Sequence, residues 1–257
     1  MDLNIHGKAA LVCASTGGLG RATAEALAAE GVRVVFAGRR GEVAKQAASA
    51  FDGSVGIEAD TSTVAGAAAL YDAAVTAVGE LDILVLNGPG PRPGPASSIN
   101  GDDMIAAFNS LAVVQQSLVA RALPYMKQQS WGRILSIASS GVVAPIPGLV
   151  LSNIGRMALA GYLKALATEV AGKAITVNML LPGRIATDRL KSLDDSAAAE
   201  SGRSVQQIQE AAMRSIPAGR YGYPAEFGAV AAFLCSDLAS YVTGAAIRCD
   251  GGVHTAL

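Results

Sequence analysis

The segment Cys13-Ala14-Ser15-Thr16-Gly17-Gly18-Leu19-Gly20 is where residue type and spacing first point to chemistry. It joins an apolar run to a stretch with helical spacing. In that context a glycine-rich turn lets the free N–H groups of a helix N-terminus close on a phosphate, and the helix dipole favours the charge. Gly18 and Gly20 open the helix. A second apolar run ends in Gly38-Arg39-Arg40. A guanidinium can grip a phosphate through two parallel hydrogen bonds. Other reactive side chains are sparse. Cys13, Cys235 and Cys249 are odd in number and far apart, which points to reduced thiols in a cytoplasmic protein and to no disulfide frame or zinc site. No metal centre is expected. His6 precedes the first strand and carries no role. His254 is a remote candidate acid, more naturally a surface or subunit-contact residue.

The elements that must hold these residues alternate along the chain. Ala9–Cys13, Arg33–Ala37, Val55–Ala59, Ile83–Leu86, Ile134–Ala138, Ile175–Leu180 and Ala245–Arg248 read as strands. Between them Leu19–Glu30, Glu42–Ala50, Val64–Val78, Asp102–Gln129, Ser152–Ala171 and Ala225–Cys235 have helical spacing. Alternation of this kind gives a mostly parallel sheet with helices on both faces. "LDILVL" and "TVNMLL" are continuous apolar runs, as expected for strands buried on both sides. With no linker, repeat or low-complexity tract, residues 1–257 read as one α/β domain. The polar stretch from Asp188 to Ser215 breaks the rhythm just after a Pro182-Gly183 turn. Ligands of doubly wound sheets bind outside the carboxyl ends of the strands. A helical excursion there, spanning 188–217 with its exit, is a candidate substrate lid.

Five motifs lie in one order over nearly the whole chain: "ASTGGLG", "LDILVLNGPG", "GRILSIASS", "VNMLLPGRIATD" and "GRYGYPAEFGAVAAFLCSDLASYVTGAAIRCDGG". In that order and spacing they resemble the short-chain dehydrogenase/reductase family, and within it the 3-oxoacyl-[acyl-carrier-protein] reductases. The resemblance implies a single Rossmann domain with a seven-stranded sheet of order 3-2-1-4-5-6-7, a nicotinamide cofactor and a dimer or tetramer. It assigns cofactor contacts to Ala14, Ser15, Thr16, Gly18, Leu19 and Gly20 of the loop. It also assigns Asp60 and Thr61 to the adenine, Asn87 and Gly88 to the adenosine ribose, and Pro182, Gly183, Ile185 and Thr187 to the nicotinamide end. NAD-preferring sites often carry an acid at the end of the second strand. Gly38 stands there, followed by Arg39 and Arg40, which favours NADP(H) over NAD(H) through a 2′-phosphate. Ala14 departs from the family's glycine; its methyl is tolerable if the local φ is negative.

The resemblance also implies a catalytic Asn, Ser, Tyr and Lys, and here the chain departs strongly. Ser139 is in place. Thirteen residues on, Ser152 stands where Tyr is expected, and four further Arg156 stands where Lys is expected, so YxxxK has become "SNIGR". Leu111 falls at the Asn position, and Asn109 lies about 200° away round the helix. A Tyr hydroxyl has a pKa near 10 that neighbours can lower, whereas an aliphatic hydroxyl is a far weaker acid. Arg156 is always protonated, so it can bind ribose hydroxyls or hold charge beside an alkoxide but cannot relay a proton. Ser139, Ser152 and Arg156 are therefore the catalytic candidates, for polarising a carbonyl or positioning a water. Tyr162 reads as a packing aromatic; Tyr221 and Tyr223 sit near the cleft mouth, where either could enter the pocket.

Composition constrains the rest. The 20 Lys+Arg are balanced by 21 Asp+Glu, which argues against a nucleic-acid surface. The chain is 51% hydrophobic and 16% charged. From Ile134 to Gly155 it carries no charge over 22 residues, but its serines, asparagine and prolines fit strand, loop and helix start and not a membrane span. Met1 to Lys8 has no apolar signal core. The apolar excess is expected in a buried sheet and in subunit contacts through helices 102–129 and 152–171. Three functions remain open at this point. The first is an atypical NADP(H)-dependent reductase or dehydrogenase acting on a 3-oxoacyl-like or other small ketone. The others are a cofactor-binding protein without turnover, and a non-redox isomerase, lyase or dehydratase. Substrate contacts are expected from "GPGPRPG" with Arg92, from "GVVAPIPGLV" and from the lid; an apolar or partly anionic small molecule would fit.

Overall fold

The computed structural model describes residues 2–255. Seven parallel strands form one sheet: β1 (Ala9–Val12), β2 (Arg33–Gly38), β3 (Val55–Glu58), β4 (Ile83–Leu86), β5 (Gly132–Ile137), β6 (Ile175–Pro182) and β7 (Ala246–Cys249). Their order is β3-β2-β1-β4-β5-β6-β7, as the family resemblance implies. The order reverses direction beside β1, and the switch opens a crevice at the carboxyl ends of β1 and β4.

Apolar side chains cover both faces. Leu11, Val35, Leu84, Ile134 and Val177 point to α3 (Val64–Val78), α5 (Val114–Gln129) and α6 (Val150–Val170). Val12, Val34, Ile83, Leu135 and Leu180 point to α1 (Gly18–Ala29), α2 (Gly41–Ala48) and α9 (Pro224–Leu234). Every residue of β1, β4 and β5 is buried, and β1 and β4 accordingly read as unbroken apolar runs. Arg133, on β5, is buried too. Its guanidinium donates to the carbonyls of Ser236, Gly132 and Ala174, pairs with Asp237 at 3.3 Å and stacks on Trp131. This hub closes the amino end of the sheet, opposite the crevice.

One sequence expectation needs revision and another gains detail. The segment Asp102–Gln129 is not one regular helix: α4 (Gly101–Phe108) passes through a π turn (Asn109–Val113) into α5. A π turn admits an extra residue and turns the helix face. Here Leu111 is buried, and α6 presses close enough that a Cβ on Gly155 would lie 2.7 Å from Leu111 Cβ. The excursion after β6 is two helices, α7 (Asp188–Ser201) and α8 (Val205–Arg214), separated by Gly202 in the left-handed conformation. No helix among the described residues is long and apolar enough to cross a membrane.

Candidate active site

One cleft of about 1440 Å³ runs along the carboxyl ends of the strands. Its floor begins at the β1–α1 turn. Gly20 packs so tightly there that a Cβ would collide with the Ala14 carbonyl oxygen and lie 2.7 Å from Asn87 Nδ2. The Asn87 amide donates to that same oxygen at 3.2 Å, so the end of β4 fixes the shape of the loop. Ala14 has φ +47°, so the condition under which its methyl is readily tolerated is not met. The constraint is tertiary: the turn must aim its carbonyl at Asn87, and the methyl is carried into the left-handed region at a cost of about 1–2 kcal/mol. Ser15 must also be reassigned. It is fully buried, its hydroxyl donates to Val12 O and accepts from Ala37 N, and it ties β1 to β2 behind the cleft wall.

The other loop residues line the cleft: Ala14, Thr16, Gly17, Gly18, Leu19 and Gly20. With α1 starting at Gly18 and no acid in its first turn, its free N–H groups face the cavity as an anion cradle. At the end of β2 a Cβ on Gly38 would lie 2.8 Å from Thr16 Cγ2, so no acidic side chain fits without moving the loop. Arg40 Nη2 donates to Thr16 O at 3.0 Å and to Thr16 Oγ1 at 3.3 Å. Arg39 is exposed, lines the same end of the cleft and makes no side-chain hydrogen bond or ion pair to another described residue. Asp60 and Thr61 stand beside the arginines, and Asn87 and Gly88 lie between them and the far end. The residues present thus fit a phosphorylated dinucleotide: a cradle closed by Gly20 and two guanidiniums where a carboxylate would otherwise be.

At the far end Ser139, Ser152 and Arg156 converge on the cavity with Pro182, Gly183, Ile185 and Thr187. Ser139 follows β5, and its Oγ accepts from Gly141 N at 3.1 Å. Ser152 and Arg156 are one turn apart on α6. Arg156 Nε donates to Ser152 Oγ at 3.2 Å, and Nη1 donates to Ile137 O at 3.0 Å. Each serine oxygen therefore accepts from the protein and keeps its own proton to donate. Burial pushes the Arg156 guanidinium down to about 10, and the like charge of Arg189 acts in the same direction. At neutral pH it still carries its proton. Among the described residues that line the cleft there is neither a tyrosine nor a lysine.

The roof is built from α7, α8 and the segments that follow them. Thr187 caps α7 by accepting from Leu190 N, and its methyl lies against Gly18. Asp194 of α7 is buried and accepts from Arg184 Nη1 at 3.2 Å and from the Tyr221 hydroxyl at 3.0 Å. The Tyr221 hydroxyl is thereby committed to the roof, and burial with the Asp194 charge pushes its pKa up. Tyr223 is 62% exposed and Tyr162 packs beside the core, so none of the three tyrosines lines the cleft. Asn109 is exposed and does not line the cleft. Arg92 does not line it either; it pairs with Asp103 at 2.8 Å. Of the two apolar segments, Gly88, Pro89, Gly90, Ile146 and Leu149 reach the cavity. Sequence reasoning gave no individual site role to Arg184, Arg189, Asp194 and Asp250, which line it, and His254, the remote candidate acid, lines it as well. The only signal for the first three was the rise in charge after the Pro182-Gly183 turn.

Comparison with known proteins matches this architecture. The family model described as enoyl-(acyl carrier protein) reductase matches residues 13–254. A 3-oxoacyl-[acyl-carrier-protein] reductase of Aquifex aeolicus (strain VF5) is 32% identical over 267 residues, covering 98% of this chain and all of the relative. Among solved structures, an NADPH-dependent reductase involved in bacilysin biosynthesis superposes with a TM-score of 0.92 at 30% identity, covering 97% of this chain and 99% of the other. L-sorbose reductase from Gluconobacter frateurii, solved with NADPH and L-sorbose, has a TM-score of 0.92 at 28% identity over the full length of both chains. Fold, loop and full-length sequence likeness coincide, and the chain is an oxidoreductase that belongs to the short-chain dehydrogenase/reductase family.

Proposed function

We propose that the protein is an NADP(H)-dependent reductase of a carbonyl, or dehydrogenase of the matching alcohol, working without the tyrosine and lysine of its family. The observation that carries this reading is the composition of the one cleft. It has an anion cradle and two arginines at one end, with glycine in place of an acid at the end of β2, and two donor-ready serines with a buried guanidinium at the other. The NADPH named for two of the similar structures supports the same cofactor.

The loop N–H groups, Arg39, Arg40, Asp60, Thr61, Asn87, Gly88, Ile185 and Thr187 would hold the dinucleotide. Bound there, reduced NADP would supply the hydride that the carbonyl carbon needs. The hydroxyls of Ser139 and Ser152 donate to the carbonyl oxygen, and Arg156 holds positive charge beside it as the negative charge develops. Neither serine can surrender its proton as a phenol would. The proton that completes the alcohol comes from water, while the serines and Arg156 lower the cost of the oxyanion. Alignment of donor and acceptor supplies the remaining rate advantage. Residues 188–217 act as a lid, pinned by Arg184, Asp194 and Tyr221.

The test is direct. Fluorescence titration should show NADPH binding, and a panel of 3-oxoacyl thioesters and small ketones should give loss of absorbance near 340 nm. Binding without turnover across the panel would favour a second reading, cofactor binding without redox chemistry, which the lack of tyrosine and lysine in the cleft supports. Gain of activity in Ser152→Tyr/Arg156→Lys where the natural protein has none would point the same way.

We also propose that the protein is cytoplasmic and self-associates as a dimer or tetramer through α4–α5 and α6. Met104, Ile105, Phe108 and Met157 leave apolar side chains 44–60% exposed on those helices. Sedimentation at micromolar concentration should give the oligomer; a clean monomer would refute the assignment.

A further inference from the structure

Arg156 and Arg189 enter the cleft from different elements, one from α6 and one from the first turn of α7. The Arg189 guanidinium lies over the chain leaving β4: a Cβ on Gly90 would sit 2.5 Å from its Nη2 and 3.0 Å from its Cζ. Arg156 is bonded to the carbonyl of Ile137 at the end of β5, the strand paired with β4. The two cations thus stand over neighbouring strand ends.

Neither has an anionic partner among the described residues. Arg156 spends two of its five N–H groups, on Ser152 and Ile137, and no described residue accepts from the others. Arg189 makes no hydrogen bond or ion pair to a described residue. Of the acids along the cleft, none pairs with Arg156 or Arg189. Asp194 holds Arg184 and Tyr221, Asp250 accepts from the backbone N–H of Gly252 and His254, and Asp60 accepts from Ser62 N. Asp188, the residue before Arg189, is exposed and starts α7. Arg156 is partly withdrawn from water and its idle N–H groups are poorly satisfied until an anion arrives; Arg189 is exposed and lines the same cleft with its N–H groups idle. A carboxylate matches such groups through paired, charge-assisted bonds.

We infer that Arg156 and Arg189 together bind a free carboxylate of the substrate, so that the molecule reduced is an oxo acid with its carboxylate one or two carbons from the carbonyl. This rests on the reductase reading above and names its substrate class. The carbonyl oxygen then lies toward Ser139 and Ser152, and the carboxylate bridges toward Gly90 under α7. A neutral ester or a bare ketone leaves both cations unpaired. Closure of α7 over the substrate brings Arg189 with it, so the lid recognises the charge it covers.

The experiment has a turnover arm and a binding arm. In the first, 2-oxo and 3-oxo acids are compared with their methyl esters by NADPH oxidation. The acids should have kcat/KM higher by about 10- to 100-fold, the value of one to two charged hydrogen bonds. In the second, oxamate, an unreactive mimic of a 2-oxo acid, is titrated into the NADP-loaded protein by calorimetry. It should bind the natural protein and bind Arg189→Gln about 10- to 100-fold more weakly, with Arg189→Lys in between. NADPH affinity in Arg189→Gln should stay within about twofold, which separates substrate recognition from a contact to the cofactor pyrophosphate. Equal kcat/KM for acids and esters, or oxamate binding unchanged by Arg189→Gln, would overturn the carboxylate site and leave the reductase reading standing. Oxamate binding that depends on Arg189, with no NADPH oxidation on any substrate, would keep the anion site and sink the reductase.

Discussion

Replacing Arg39 by alanine should weaken NADPH far more than NADH. The structure makes the substitution clean. Arg39 is exposed, lines the cleft at the end of β2 and has no side-chain partner among the described residues, so no described contact is lost with it. Arg40 remains tied to Thr16 and keeps the loop in shape. The magnitude lies between two limits. An exposed ion pair is worth about 0.2–1 kcal/mol, and a hydrogen bond to a charged group about 1.5–3 kcal/mol. The cleft is open at this end but the contact is charge-assisted, which places the loss at about 1–3 kcal/mol, or roughly 5- to 150-fold in Kd. NADH has no 2′-phosphate and should weaken by less than about twofold. Because the contact is exposed, the NADPH advantage of the natural protein should shrink as salt is raised from 0.1 to 1 M, where the screening length falls from about 10 to 3 Å. Gly38→Asp approaches the same point from the other side. Its Cβ collides with Thr16, the residue that anchors Arg40, and its carboxylate opposes the phosphate, so the preference should turn toward NADH. Fluorescence titration with both dinucleotides measures all of this. Equal losses of NADPH and NADH in Arg39→Ala, or an NADPH affinity that does not move, would refute the 2′-phosphate role.

Three further outcomes follow from the same coordinates. Ala14→Gly removes a left-handed alanine; after the extra freedom of glycine in the unfolded chain is subtracted, it should gain about 0.5–1 kcal/mol, a rise of roughly 1–4 °C in Tm, and no rise would contradict the strain. Arg133→Met strands three carbonyls and Asp237, so it should lose about 3 kcal/mol and roughly 6–12 °C in Tm, with a loss under about 1 kcal/mol counting against the hub. Burial pushes the thiols of Cys13 and Cys235 up to about 12, so at pH 8 a disulfide reagent should reach only Cys249 in the native protein and all three thiols after denaturation; rapid native reaction of all three would show that the core opens.

The sheet was legible because its central strands are buried on both faces and announce themselves as apolar runs of β length, with turn residues between. The phosphate loop was legible because its chemistry lies in consecutive residues. What escaped depends on contacts between distant segments. The conformation of Ala14 is set by Asn87, 73 residues away. The inward turn of Ser15 is set by Ala37 on the neighbouring strand. Tyr221 looked free at the cleft mouth because its partner, Asp194, lies 27 residues earlier in the stretch that read as a lid. The π turn leaves hydrophobic spacing almost unchanged and follows from the close approach of α6 at Gly155. Arg189 and His254 are single charged or polar residues in polar surroundings, and only the fold turns them inward.

The change from Tyr and Lys to Ser152 and Arg156 alters the balance between the two halves of the reaction. Reduction of a carbonyl needs a hydride at carbon and a proton at oxygen. The structure keeps the apparatus for the first half: cradle, ribose floor and nicotinamide-end turn all line one cleft. For the second half it offers hydroxyls that accept from Gly141 N and Arg156 Nε, which makes them good donors and poor acids. A guanidinium still protonated at neutral pH stabilises charge without delivering a proton. Such a site favours substrates whose reduced oxygen costs little to hold as an anion, or whose own groups help to neutralise it. A carboxylate bound between Arg156 and Arg189 would anchor the substrate but also offset their positive charge beside the forming alkoxide. Recognition and rate therefore pull against each other at Arg156, and Arg189 on the lid is where added charge restores the balance. For oxo acids, Arg189→Gln should consequently lower kcat as well as raise KM. A KM change alone would mean that Arg189 only binds substrate and that Arg156 carries the oxyanion unaided.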